Sequence, residues 1–273
     1  MAEADDPRFD LIVAGASVGA NLDDAIARGH ILRLADGGLT LASQEARPAA
    51  ENGDGEGVDL GDGFLHRRGE FRPHCGFLNG LLFRHAYRQT QVPFGCRNCF
   101  KIKIETRTLR QLMATRAIAE DTPHSTKSGS EADLPTNACR YATYLYFSGL
   151  DAARRAFPEL RRRIDDHPHL GNRIPMVIKR GCSNYERNCG PSDQYRFDPR
   201  QEALEDALHR RWVKTPRSGR PPEIARAMTL LALVAVAYRI GDPTYLDFTG
   251  GRPLHAPLVS YPPGEPEPVT PPG

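Results

Sequence analysis

Cys96 and Cys99 lie in Phe94-Gly95-Cys96-Arg97-Asn98-Cys99-Phe100 and lead directly into Phe100-Lys101-Ile102-Lys103-Ile104-Glu105. That second stretch alternates apolar and polar residues, the period of a half-buried strand. A C-x2-C spacing lets two thiolates reach one metal, and it serves zinc and iron–sulfur sites alike. The fold must therefore bring a tight cysteine loop to the start of a strand. Gly95 lets the backbone turn closely there.

A second pair follows another predicted strand. Ile174 to Lys179 reads as β, and Pro175 places its start at a sheet edge. Just beyond it, Cys182 and Cys189 form a C-x6-C bounded by Gly181 and Gly190. If the two strands are neighbours, both pairs reach one end of the sheet. Cys96, Cys99, Cys182 and Cys189 are then the expected four-thiolate set, with Cys75 and Cys139 as alternates. Arg97, Lys101, Lys179, Arg180 and Arg187 surround the pairs, and positive charge is expected to lower thiol pKa and offset thiolate charge.

The order from 100 to 180 is strand, helix, strand, helix, strand. Arg107 to Glu120 and Leu150 to Ile164 read as the helices, the second with Pro158 as a kink or boundary. Arg140 to Phe147 is the middle strand. Residues 121–138 read as a polar loop. The expected fold class is α/β or α+β, a small mixed sheet with flanking helices. A small N-terminal unit at 1–42 joins it through a flexible linker at 43–63, rich in Gly, Ala, Glu and Asp. In that unit Phe9 to Ala14 reads as a strand and Asn21 to Arg28 as a helix. Asp36-Gly37-Gly38 joins a hairpin. The main cysteine-containing domain runs over 64–252, with further helices at 201–212 and 222–239. A Pro-rich tail follows at 253–273.

Several other features call for a chemical and a structural reading. Gly15-Ala16-Ser17-Val18-Gly19 matches G-x-S-x-G between a strand and a helix. The unit around it has no room for a hydrolase sheet or a dinucleotide half-domain, so a tight turn is expected. His66, His74 and His85, with Glu70, could build a mixed metal site near Cys75. The loop from Gly181 to Asp198 is dense in polar side chains. Within it, Glu186 and Asp193 are candidate catalytic carboxylates beside a metal.

Lys plus Arg total 36 against 34 Asp plus Glu, a formal net charge of +2. That balance argues against a general nucleic-acid binder, whose affinity comes from many phosphate contacts. The amino terminus lacks a signal peptide's basic and apolar regions, and no apolar run approaches the ~20 residues of a membrane span. A cytoplasmic location with reduced thiols is expected.

These residues lead to one expectation and two alternatives. The expectation is a cysteine-ligated iron–sulfur protein, either a redox enzyme or an accessory factor for one, with a redox partner protein. The first alternative is a zinc-stabilised regulatory or interaction module. The second is a metal-free enzyme with a redox or nucleophilic cysteine.

Overall fold

The computed structural model describes residues 9–42, 63–71, 74–132, 139–214 and 222–255. All of the expected linker except Gly63, and the tail beyond residue 255, lie outside them. Among the described residues, no helix is long and apolar enough to cross a membrane.

The centre is a five-stranded sheet formed by β5 (Phe64–Arg67), β6 (Cys99–Thr106), β7 (Ser125–Ser130), β8 (Tyr141–Ser148) and β9 (Met176–Arg180). The spatial order is β5-β7-β8-β6-β9, and every neighbouring pair is antiparallel. The expected sheet with flanking helices is present, antiparallel throughout where a mixed sheet was expected. Helices α2 (Leu109–Glu120) and α3 (Leu150–Asp165) complete a β6-α2-β7-β8-α3-β9 run. Its strands stand in the order fourth, first, third, second, the ferredoxin-like arrangement. β9 lies at the sheet edge, as Pro175 requires. Helix α3 continues through Pro158 instead of ending there.

Strand alternation gives the two faces different chemistry. Ile102 and Ile104 of β6, with Leu145 and Phe147 of β8, pack against Ile118 and Ala119 of α2 and Leu160 and Ile164 of α3. Burying such a side chain contributes about 1.5–3 kcal/mol. The other face of β6 carries Cys99, Lys101, Lys103 and Glu105. Opposite them stand Tyr146 against Lys101 and Tyr144 against Lys103.

β7 corrects the expected loop at 121–138. Its sequence, Ser-Thr-Lys-Ser-Gly-Ser, has no apolar alternation to reveal a strand. Backbone ladders to β5 and β8 hold it on both sides. Buried hydroxyls help too: Ser128 Oγ lies 3.0 Å from Thr143 Oγ1 on β8.

A second core joins the N-terminal unit to the cysteine loops. The unit contains β1 (Ile12–Val13), β2 (Ala16–Ser17), α1 (Val18–Ala27) and the hairpin β3 (Ile31–Arg33) to β4 (Leu39–Leu41). The expected strand at Phe9 to Ala14 is cut to two residues because Ala14 and Gly15 turn at φ 57° and 78°. Ser17 accepts the Ala20 N–H at 3.1 Å and caps α1, so the G-x-S-x-G stretch is a turn and cap. Val18, Leu22 and Ile31 of this unit share a core with Leu81 and Phe83 of a π-helix (Gly76–Ala86), and with Leu204 and Leu208 of α5 (Arg200–Arg211). The remaining long helix, α6 (Pro222–Arg239), sets Leu233, Val234 and Ala237 against Leu65, Leu109 and Tyr141.

Candidate metal centre

Antiparallel pairing of β6 and β9 brings the two cysteine segments together. Phe100 pairs with Arg180, and the Gly181 N–H donates to the Cys99 carbonyl at 2.9 Å. The start of one strand thus lies beside the end of the other, and Cys182 follows directly. Gly181 takes φ +50° there, with the Tyr185 ring 3.3 Å from where a Cβ would stand.

The C-x2-C loop is held from α5. Glu205 accepts the N–H groups of Phe94 at 2.7 Å and Gly95 at 2.9 Å, and the Tyr87 hydroxyl at 2.9 Å. One turn earlier, Gln201 donates to the Val92 carbonyl at 3.1 Å. Arg97 pairs with Glu202 at 3.2 Å and lies over the Phe94 ring at 4.0 Å. A Cβ on Gly95 would stand 2.7 Å from Leu78 Cδ2, so any side chain there forces Leu78 of the π-helix to shift.

Four thiols lie within electrostatic reach of one another: Cys75, Cys96, Cys99 and Cys182. The charge of each of the other three raises the Cys96 thiol; Cys75 and Cys182 raise Cys99; Cys182 raises Cys75. They come from three places: Cys75 just before the π-helix, Cys96 and Cys99 in the C-x2-C stretch that opens β6, and Cys182 two residues after β9. Two tyrosines close the group. The Tyr185 hydroxyl lies 3.5 Å from Cys96 Sγ, and Tyr146 is raised by burial and by Cys75, Cys182 and Cys99.

Burial controls these thiols. It pushes Cys75 up to about 11, Cys99 up to about 12 and Cys96 well above its usual range. The expected pull of the basic residues has the right sign, since Lys101 and Arg180 lower Cys99, but desolvation is the larger effect. Without a bound cation these three are neutral thiols at pH 7 and poor nucleophiles. Cys75 is accessible to solvent, yet desolvation dominates its thiol.

Lys101 is buried beside this group, and burial lowers its amine to about 8, against the opposing pull of Cys182 and Cys99. Its ammonium lies 4.7 Å from the Tyr144 ring centre. Arg180 donates to the Arg97 carbonyl and lies 5.2 Å from the ring centres of both Phe100 and Phe197.

The other candidates lie apart from the four. Cys189 ends α4 (Ser183–Cys189), about 10 Å along the helix from Cys182 at 1.5 Å per residue. Its thiol donates to the Gln89 carbonyl at 3.6 Å, and burial alone raises it. Cys139 lies at the opposite end of the sheet, against Lys103 and Glu105. Glu186 pairs with Lys179 at 3.8 Å, and Asp193 is exposed on a short 3-10 turn. The histidines do not converge. His85 stacks on His30 at 5.4 Å, His74 meets His209 edge-on at 5.0 Å, and His66 is on β5. Among the described residues, no three His, Cys, Asp or Glu side chains are gathered closely enough to hold a single metal ion.

Comparison with known proteins finds no family model, curated protein or solved structure that matches this chain at a significant level.

Proposed function

We propose that this chain is a cysteine-ligated metal protein that holds an iron–sulfur cluster through Cys75, Cys96, Cys99 and Cys182. The observation that carries the reading is the convergence of four thiols, from three separated segments, into mutual electrostatic range.

The donor set fits such a group. Four thiolates are the usual ligands of a cluster. A zinc ion draws its sulfurs to about 2.3 Å from one point, whereas a cluster has several irons, each with its own thiolate, and needs thiols arranged around a volume. Bound there, a cluster supplies one-electron transfer, in a redox enzyme or an accessory factor for one.

The chain's own residues prepare the place. Glu205, Gln201 and Arg97 fix the loop that carries Cys96 and Cys99. Tyr185 offers a hydrogen bond to Cys96 sulfur, and such bonds tune the potential of ligated clusters. Lys101 and Arg180 put positive charge beside sulfurs that become negative on ligation. Burial, which raises the Cys96 and Cys99 thiols, weighs against a nucleophilic role for those two.

Anaerobic purification, with iron, zinc and acid-labile sulfide assay and a visible spectrum, tests this. Iron and sulfide in a brown protein are expected. Colourless protein with stoichiometric zinc would replace the cluster with a structural zinc site, and protein free of metal would leave the thiols themselves as the chemistry.

A further inference from the structure

A cavity of about 280 Å3 lies between the N-terminal unit and the end of the π-helix, and the thiol site makes no use of it. Its wall carries Arg28, Arg84, Arg88, His30, His85 and a single carboxylate, Asp24. Three guanidiniums therefore face one acid. Asp24 gives one oxygen to Arg28 Nε at 3.0 Å and the other to Arg88 at 3.1 Å. Each arginine is aimed by a single donor and keeps its remaining N–H groups. Arg84 is exposed and has no ion pair or hydrogen bond among the described residues.

Basic residues at the ends of helices commonly just offset the helix dipole. Two features here exceed that role. The carbonyls at the end of α1 are already satisfied, with Arg28 N–H on Asp24 O, Gly29 N–H on Ile26 O and His30 N–H on Ala25 O, at 2.9–3.0 Å. Arg88 and Gln89 also take φ 44° and 62°, consecutive left-handed turns without glycine. Such residues cost on the order of 1–3 kcal/mol each and persist where the surroundings enforce them, often at ligand sites. This turn directs Arg88 across to Asp24 and into the cavity wall.

The floor is rigid. Asn21 is buried and donates to the Val13 carbonyl at 3.1 Å and the Ala86 carbonyl at 3.0 Å, which locks α1 to the end of the π-helix. His30 and His85 stack with 23° between their planes and add a flat aromatic wall. Burial, with His30 and Arg84 nearby, holds His85 toward its neutral form, able to donate one hydrogen bond without adding charge.

We propose that this cavity binds a small phosphomonoester, with Arg84 and Arg88 on the phosphate oxygens and the carbon body against the histidine pair. Guanidinium forks match phosphate geometry. The volume exceeds a phosphate group alone and lies just under the usual small-molecule range of about 300–1,000 Å3.

Calorimetric titration of the full chain at low ionic strength with ribose 5-phosphate, inorganic phosphate and sulfate tests the proposal. One saturable site is expected, tightest for the sugar phosphate and weaker as salt rises. Arg84→Gln removes a side chain without hydrogen-bond or ion-pair partners among the described residues and is expected to weaken binding tenfold or more. Arg154→Gln, at an exposed position of α3, is expected to leave it unchanged. The proposal is overturned if no saturable binding appears, if Arg84→Gln binds as the parent does, or if sulfate binds as tightly as the sugar phosphate.

Discussion

Glu205 accepts the backbone N–H of Gly95 at 2.9 Å from 110 residues further along the chain. With Phe94 N–H and Tyr87 hydroxyl on the same carboxylate, α5 serves as the clamp of the C-x2-C loop. Glu205→Gln turns an amide N–H toward donors and leaves at least one buried donor without an acceptor. Destabilisation of about 1–3 kcal/mol in urea unfolding is expected, together with reduced metal loading.

The same residue predicts a pH dependence. Burial raises the Glu205 carboxyl above its ordinary value of 4.5 in spite of its hydrogen bonds. The folded state therefore holds this proton more tightly than the unfolded state. Its contribution is fully present below pH 4.5 and is lost as pH rises through the folded value. Unfolding free energy measured at steps from pH 4 to 8 should carry this downward term in the parent, and Glu205→Gln should lack it. Identical slopes for the two proteins would refute the assignment.

Gly95→Ala places a methyl 2.7 Å from Leu78 Cδ2. Leu78 must shift within a packed core, at a cost of about 1–3 kcal/mol. A lower melting temperature with a loss of bound metal is expected; a variant as stable and as fully loaded as the parent would show that loop and π-helix approach less closely.

Lys101 should have opposite effects in the metal-free and metal-loaded proteins. Its amine is lowered from 10.5 to about 8 by burial, and each unit corresponds to about 1.4 kcal/mol. Lys101→Met is expected to stabilise the metal-free chain by up to about 3 kcal/mol at pH 7. Loaded protein should instead become less stable, because ligated thiolates lose a neighbouring cation. Melting curves of both forms check the change of sign.

Asp242 provides a control outside the site. It accepts the Leu109 N–H at 2.6 Å and the Tyr141 hydroxyl at 3.0 Å, and so caps α2. Its other oxygen accepts the Thr244 N–H at 3.0 Å and the Thr244 hydroxyl at 2.8 Å, so Asp242→Ala strips the acceptor from four donors, two of them buried, and should cost about 2–4 kcal/mol. Metal content per folded chain should stay at the parent level.

Much of the frame is legible in the residues. Phe100–Glu105 shows its strand by alternation, and Leu150–Ile164 shows its helix by an amphipathic face. Ser125–Ser130 does not, because ladder bonds on both sides hold a segment with no apolar period. The π-helix is hidden as well, since a shift from i−4 to i−5 bonding leaves no mark in the pattern of Phe77 to Phe83. The site follows the same division. Spacing singles out Cys96 and Cys99, and pairing of the following strand with Ile174–Lys179 brings Cys182 to them. Whether Cys75 or Cys189 stands fourth depends on the path of the chain before the π-helix and the rise of α4, both tertiary facts. Thiol acidity is not legible in the same way, because neighbouring cations are visible in sequence and burial is not.

The most direct test is metal and sulfide content of anaerobically prepared single Cys→Ser variants at all six positions. Loss of the cluster is expected for Cys75, Cys96, Cys99 and Cys182, with parent-level content for Cys139 and Cys189. A cluster that survives Cys75→Ser and disappears in Cys189→Ser would contradict the account.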